Sequence, residues 1–219
     1  MIILTHTQGS KEWLQARAGV ITASRFADAR AKLERASKNG KAGDPAASAL
    51  KYAWTIAMEQ IAGEPLDQTF VTWQMERGTN LEGEARIAYE ARTGALVEES
   101  GLLLTDDGVF GYSSDGFVES DGMIEVKCPS ACDKLGAIWT HPEDAHLEYI
   151  DQINGGMWIA GRKWCDLVVY CPWLAPVGKE LFIKRIVRDD NAVDALAADL
   201  WQFKLLTDSY ITALKKEAA

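Results

Sequence analysis

The feature that most limits how this chain can fold is a change of hydrophobic period after Gly94. Between 72 and 92 the apolar residues Trp73, Met75, Leu81, Ala85, Ala88 and Tyr89 recur at helical spacing, and Gly94 stops the pattern. Downstream, the runs ALVEESGLLL, VFGYSSDGFVES and GMIEVKCP are short, rich in β-branched or aromatic residues and bounded by Gly or Asp-Gly. They predict successive strands, with a tight turn at Ser120-Asp121-Gly122. Helical patterns at 12–35, 46–62, 143–160 and 189–216, and strand patterns in WCDLVVYCPW and KELFIKRIV, complete the order. Helices, a meander, a helix, two strands and a last helix predict one α/β (α+β) core over 1–219, without internal repeat or domain boundary. Gly19 is expected to interrupt the first helix, after which Thr22 or Ser24 would cap a second and leave backbone N–H groups free for an anion. The lysine-rich turn formers SKNGKAGDP, at about 36–46, read as a mobile basic arm.

Composition narrows the partners. At 219 residues and 47% hydrophobic, roughly 70% of the unfolded surface can be buried, so neither disulfides nor a structural metal is needed for a core. The net charge of -9 argues against a protein that coats DNA over its whole surface. The charge is uneven, however. Residues 1–51 carry nine Lys and Arg against four acids, whereas 52–219 carry 14 against 28, so a polyanion can still be gripped at one end. Cys128, Cys132, Cys165 and Cys171 form no C-x-x-C pair, and His6, His141 and His146 lack finger spacing, which reads as incidental thiols in a reducing compartment. The N-terminal residues lack a signal peptide's apolar core and no apolar run is long enough to span a membrane, so the expected location is the cytoplasm, with no membrane partner.

The chemistry-bearing stretch is Ser113-Ser114-Asp115-Gly116, followed after nine residues from Asp115 by Glu125-Val126-Lys127. On a strand, Glu125 and Lys127 project to one face while Val126 faces the core and offers its carbonyl. If Asp115 starts the partner strand of a hairpin turning at 120–122, it returns beside Glu125. Two carboxylates and a carbonyl then form a hard oxygen site suited to Mg²⁺. The adjacent lysine can orient or deprotonate a water and stabilise charge on a phosphate. A charged alternation on a strand also arises as a solvated face, and D-x9-E-x-K alone occurs by chance. The turn that presents Asp115, and Cys128-Pro129 ending the strand just after Lys127, favour the hydrolytic reading.

Four segments together, RAGVITAS at 17–24, SSDG at 113–116, EVKCP at 125–129 and QINGGMW at 152–158, stand in an order and spacing that resembles the bacteriophage lambda exonuclease group. That group comprises the YqaJ-like viral recombinase nucleases of the PD-(D/E)xK superfamily, and the likeness runs from about Trp13 to the C-terminal helix. Ser114 stands where those relatives have proline. The resemblance implies a restriction-endonuclease-like core, a central mixed β-sheet flanked by helices. It implies a Mg²⁺-dependent 5′→3′ exonuclease on double-stranded DNA, with Mn²⁺ substituting. Such an enzyme releases mononucleotides and leaves 3′ overhangs for a single-strand annealing protein, working as a homotrimeric ring in phage-type recombination, encoded by a phage, prophage or bacterial host. Carried over by residue, Asp115, Glu125 and Glu82 would be metal ligands, with the Val126 carbonyl, and Lys127 would act on the water. Arg17, Ser24, Ser113 and Gln152 would hold the terminal 5′-phosphate.

Two rival readings keep part of this pattern: a structure-specific or restriction-like endonuclease with the same site, and a non-catalytic DNA-end-binding scaffold whose carboxylates are structural. An iron-sulfur nuclease resembling the Cas4 group is disfavoured, because no cysteine precedes the core. The tryptophans are expected mostly in the core, and Tyr149 near the site. The charge asymmetry predicts a positive channel inside a negative exterior.

Overall fold

The computed structural model of the chain describes residues 1–36, 38, 40–66 and 73–216, without the side chains of 73–76, so Trp73 and Met75 lie outside the described residues. In chain order the elements are β1 (Ile2–Leu4), α1 (Lys11–Arg17), β2 (Ile21–Thr22), α2 (Phe26–Ala29), α3 (Ala47–Ala62) and α4 (Trp73–Thr93). Then come β3 (Val97–Glu98), β4 (Leu102–Leu104), β5 (Phe110–Ser113), β6 (Gly116–Val118) and β7 (Gly122–Lys127). The chain ends with α5 (Cys132–Thr140), α6 (Ile150–Ala160), β8 (Trp164–Tyr170), β9 (Leu181–Val187) and α7 (Asp190–Lys215).

The strands make two sheets. Five run in the order β3-β6-β7-β8-β9, a mixed sheet in which β7 and β8 are parallel and the other neighbours antiparallel. Four more run β1-β4-β5-β2, parallel only where β2 meets β5. Two runs that read as single strands are therefore divided between sheets, with local causes. Ser114 Oγ accepts a hydrogen bond from the Gly116 N–H at 3.1 Å, a side-chain turn that takes the chain out of β5 and into β6. At Gly101 a Cβ would fall 1.8 Å from the Leu4 carbonyl oxygen, so β1 crosses there at a distance that no other residue type tolerates.

Layering follows the alternation of β7. Ile124 and Val126 pack with Ala85 and Tyr89 of α4 on one face, while Met123 lies on the other with Ile153 and Met157 of α6 and, beyond them, Tyr52 of α3 and Phe203 of α7. Helix α6 reaches the sheet through two glycines. A Cβ on Gly155 would sit 2.4 Å from the Phe26 ring, and one on Gly156 would sit 2.7 Å from both Met123 Cε and Tyr112 Cζ.

Some expected elements change character. The helix read over 12–35 ends at Arg17. Gly19 adopts φ 71° and lies so close to α3 that a Cβ would meet Gln60 Cγ at 2.6 Å, while its N–H donates to Glu59 and its carbonyl accepts from Gln60. Tertiary contact with α3, rather than propensity, makes that break. Neither Thr22 nor Ser24 caps a helix; residues 23–25 form a 3-10 turn leading into the four-residue α2. Helix α5 and strand β1 had no expectation: α5 buries only Leu135 and Ile138 and has no side-chain cap, and β1 is three residues long. In the arm, the described residues form a hairpin, with Leu33 N–H donating to the Asp44 carbonyl and Ala46 N–H to that of Ala31, both at 2.8 Å. Ser37 and Asn39 lie outside the described residues. The tryptophans are less buried than expected: Trp54, Trp173 and Trp201 are exposed and only Trp13 is fully in the core among those described.

The tight α6 contact yields a prediction. Gly156→Ala should cost about 1–3 kcal/mol of stability by overpacking against Tyr112 and Met123. Urea unfolding checks this, and an unchanged midpoint at unchanged slope would contradict the close approach.

Candidate active site

The β6–β7 hairpin forms as its spacing predicts, with Gly116 opposite Ile124, which brings Asp115 beside Glu125. Asp115 Oδ2 accepts the Val126 N–H at 2.7 Å. Glu125 is 1% exposed, so the charged alternation on β7 is no solvated face. Its Oε1 accepts from Lys127 Nζ at 2.7 Å and from Gln152 Nε2 at 2.5 Å, and its Oε2 accepts from the Tyr112 hydroxyl at 3.0 Å. Lys127 also donates to Gln152 Oε1 at 3.1 Å and lies 5.2 Å from the centroid of the Tyr149 ring. Strands β7 and β5 and helix α6 thus meet on one buried carboxylate. Gln152 reaches it because Gly155 and Gly156, one turn on, let α6 settle against the sheet.

Arg17, from the end of α1, enters the same cleft. Its Nη2 donates to Thr22 Oγ1 at 3.1 Å and Ser24 Oγ at 3.4 Å, and its guanidinium stacks 4.5 Å from the centroid of the Trp13 ring. The two hydroxyls that were expected to cap a helix instead hold this arginine. Among the described residues it forms no ion pair, and burial lowers its pKa against the more distant charge of Glu59, so it is a partly desolvated cation with no carboxylate in contact. Ser113 Oγ is buried without a hydrogen-bond partner. A cavity of about 250 Å³ is lined by Arg17, Ser24, Glu82, Ser113, Asp115, Glu125, Val126, Lys127 and Gln152 together. All nine residues singled out in the sequence therefore share one cleft.

Electrostatics in the cleft are strained. Burial, followed by the charge of Glu125, pushes the Asp115 carboxyl well above the usual carboxylate range. Burial also raises Glu82, with Arg86 acting against it and Glu125 adding to it. For Lys127, burial pulls down, but the charges of Glu125 and Asp115 outweigh it and hold the ammonium above the ordinary lysine range. The lining holds two cations, Arg17 and Lys127, against three carboxylates. Side chains alone thus leave this cleft richer in acids at its centre and basic at the Arg17 end.

That imbalance tests the fit of a metal ion. Two carboxylates beside a peptide carbonyl are hard oxygen donors, the set that divalent cations such as Mg²⁺ take. The nearby Cys128 thiol is pushed up to about 11, mainly by burial. No three acidic, histidine or cysteine side chains among the described residues converge closely enough to hold an ion as they stand. Glu82 lines the cleft from α4, but its Oε1 accepts from Arg86 Nη1 at 3.2 Å. The donor chemistry fits at Asp115 and Glu125, with Glu82 near them and turned to its arginine.

Residues 12–163 match the YqaJ-like viral recombinase domain. The chain belongs to that family. It is also similar to an alkaline exonuclease from Laribacter hongkongensis, with 34% identity, covering 94% of this chain and 96% of that one at a TM-score of 0.78. The same enzyme in complex with dAMP matches at a TM-score of 0.80. A phage-related exonuclease from Haemophilus somnus 129PT shares the fold at 13% identity and a TM-score of 0.71, covering 90% and 96% of the two chains. No curated protein matches. The mixed sheet with helices on both faces is accordingly the PD-(D/E)xK core that the sequence led us to expect.

Sequence reasoning missed Tyr112, Thr22 and Gln8 as cleft residues. Tyr112 carries no signal, because on β5 it alternates with Phe110 as any core aromatic would. Thr22 was seen only as a cap candidate.

The raised Asp115 has a sign that can be measured. A carboxyl with its folded pKa above its unfolded value makes the folded state less stable as pH rises between the two. Without added metal ions, Asp115→Asn keeps an acceptor for the Val126 N–H and removes the charge. Its thermal midpoint at neutral pH should exceed that of the unaltered protein, and the gap should close towards pH 4. A variant less stable at pH 7 would contradict this.

Proposed function

We propose that this chain is a divalent-metal-dependent exonuclease that degrades double-stranded DNA from 5′ ends, releasing mononucleotides and leaving 3′ single-stranded overhangs for recombination by strand annealing. One observation carries the reading. The desolvated Arg17 with its hydroxyl neighbours, an anion subsite, opens into the same cleft as the Asp115–Glu125–Lys127 cluster. An anion site at a fixed short reach from a hydrolytic centre recognises a strand end and measures one unit inward. Membership of a viral recombinase family and likeness to an alkaline exonuclease support DNA as the substrate and hydrolysis as the reaction. The dAMP held by that relative is a deoxynucleoside monophosphate, the product class proposed here.

In this reading Arg17 grips the terminal 5′-phosphate through its planar fork, and Ser24 and the unpartnered Ser113 hydroxyl add donors. Asp115, Glu125, the Val126 carbonyl and Glu82, once released from Arg86, would hold Mg²⁺, for which Mn²⁺ would substitute. When bound, the ion lowers the pKa of a water and polarises the scissile phosphate. Lys127 is clamped by Glu125 and Gln152, where it orients the water and stabilises charge on the phosphate. The water oxygen forms the new bond to phosphorus and the bond to the 3′ oxygen breaks. The proton lost by the water passes to solvent and the departing oxygen gains one, so no co-reactant is needed. The phosphate left on the shortened strand is a new ligand for Arg17. A ring of three subunits and an annealing partner rest on the resemblance. No helix among the described residues is long and apolar enough to cross a membrane, and a cytoplasmic location agrees with that.

End-labelled linear duplex in Mg²⁺ tests the proposal. Label at the 5′ end should appear as mononucleotide at once and label at the 3′ end only late, faster with a 5′-phosphate than with a 5′-hydroxyl. Lys127→Ala should lower the rate by about 10²–10³, and Arg17→Ala should erase most of the preference for phosphate. Nicking of covalently closed circles at a comparable rate would instead establish an endonuclease, and variants equal to the unaltered protein would leave only a binding scaffold.

A further inference from the structure

An ion-pair cluster outside the cleft reaches the residue beside Gln152. Arg30, which follows α2, donates from Nη1 to Asp151 Oδ1 at 2.7 Å, and from Nη2 and Nε to Asp199 Oδ2 at 2.8 and 3.2 Å. Lys32 Nζ donates to Asp199 Oδ1 at 2.6 Å, and Lys32 pairs with Pro45 at the root of the arm hairpin. Two cations meet two carboxylates, so the cluster is neutral and each of its charges has a partner. It offers nothing to a metal ion or a phosphate. Its effect is mechanical: the end of α2, the arm, the start of α6 and the body of α7 are tied at one point.

The start of α6 needs such a tie. The helix begins at Ile150 after a 3-10 turn over 147–149, and its N-cap residue Tyr149 supplies no side-chain cap. The first N–H groups of a helix have no partners within it, and an uncapped first turn frays. Gln152 lies in that turn. Its amide serves Glu125 through Nε2 at 2.5 Å and Lys127 through Oε1 at 3.1 Å, and a shift of about 1 Å takes bonds of that length out of range. Among the described residues, Asp151 is the one side chain of this turn in an ion pair. Successive helical side chains point about 100° apart, so Arg30 holds the turn from one side while Gln152 projects into the cleft. A carboxylate there also suits the helix N-terminus.

We propose that Arg30 is a positioning residue for the reaction: by tying Asp151 to Asp199 of α7 it fixes the first turn of α6, and with it the Gln152 amide that orients Glu125 and Lys127. The role rests on the exonuclease reading, in which Glu125 and Lys127 serve the hydrolysis, whereas the clamp on the helix does not. Arginine is required because its planar fork engages both carboxylates at once, which a lysine ammonium does less well. The opposite end of α6 is held separately, by Arg188 Nη1 donating to the Met157 carbonyl at 2.9 Å.

Two measurements on the full chain test this. In hydrogen–deuterium exchange without DNA, Arg30→Met should speed exchange about tenfold at the amides of 154–156, whose helical acceptors are the carbonyls of 150–152. Asp151→Asn, which removes one charge from the same joint, should do so to a smaller extent, and Arg188→Met should leave those amides protected. In single-turnover release of the first nucleotide from 5′-phosphorylated duplex in Mg²⁺, well below every thermal midpoint, Arg30→Met should be about tenfold slower. Arg30→Lys should fall between it and the unaltered protein, Arg188→Met should release at the unaltered rate, and Arg30→Met should add nothing in a Gln152→Ala background. Unchanged exchange at 154–156 in Arg30→Met would overturn the clamp. Faster exchange with unchanged release, or a loss that adds in full to that of Gln152→Ala, would overturn the positioning role and leave the exonuclease reading standing. No release from the unaltered protein would overturn that reading and the role with it.

Discussion

A carboxylate that is 1% exposed and still serves as the meeting point of three elements sets the terms for the rest of this molecule. Burying such a charge is costly unless its oxygens are paired and hydrogen-bonded. Glu125 meets that condition with Lys127 from its own strand, Gln152 from α6 and Tyr112 from β5. Each partner requires something further. Gln152 needs α6 to lie against the sheet, which Gly155 and Gly156 permit. Tyr112 needs β5 to leave its sheet immediately beyond, which the Ser114 turn supplies. Removing any one partner leaves an unpaired group in the interior, so the arrangement behaves as a unit.

Much of this was legible in the sequence because the rules that govern it are local. Alternation on β7 placed Glu125 with Lys127, and the Asp-Gly turn brought back Asp115. What was not legible depends on contacts far along the chain. The break after Arg17 is made by Glu59 and Gln60 of α3, about forty residues away. Thr22 and Ser24 were read by local capping rules, yet their hydroxyls serve Arg17, five and seven residues earlier. Tyr112 looks like any apolar strand residue until the fold sets its hydroxyl against Glu125. Glu82 was traceable only through the family likeness, and its engagement by Arg86 not at all, since neither has a pattern that distinguishes it from other acids and bases of α4.

The net charge of -9 takes on a local meaning in this light. Part of the acid excess is concentrated in a cleft where Asp115 and Glu82 are pushed towards protonation by burial and by Glu125. Such a cluster opposes the stability of the fold that contains it and is relieved by a divalent cation. Arg17 lies at the other end of the same cleft, held by the hydroxyls of Thr22 and Ser24 and stacked on Trp13. The contrast between an acid-rich centre and an unpaired guanidinium gives the site its direction: one end for an anion that is held, the middle for a phosphate that reacts.

The central claim is that Asp115 and Glu125 form an incomplete oxygen site that a divalent cation completes. Calorimetric titration of the DNA-free protein with Mn²⁺ tests it most directly, because no turnover is involved. Saturable binding to the unaltered protein, accompanied by a higher thermal midpoint, should weaken at least tenfold in Asp115→Asn and in Glu125→Gln. Equal Mn²⁺ affinity in all three proteins, or none in any, would contradict the account.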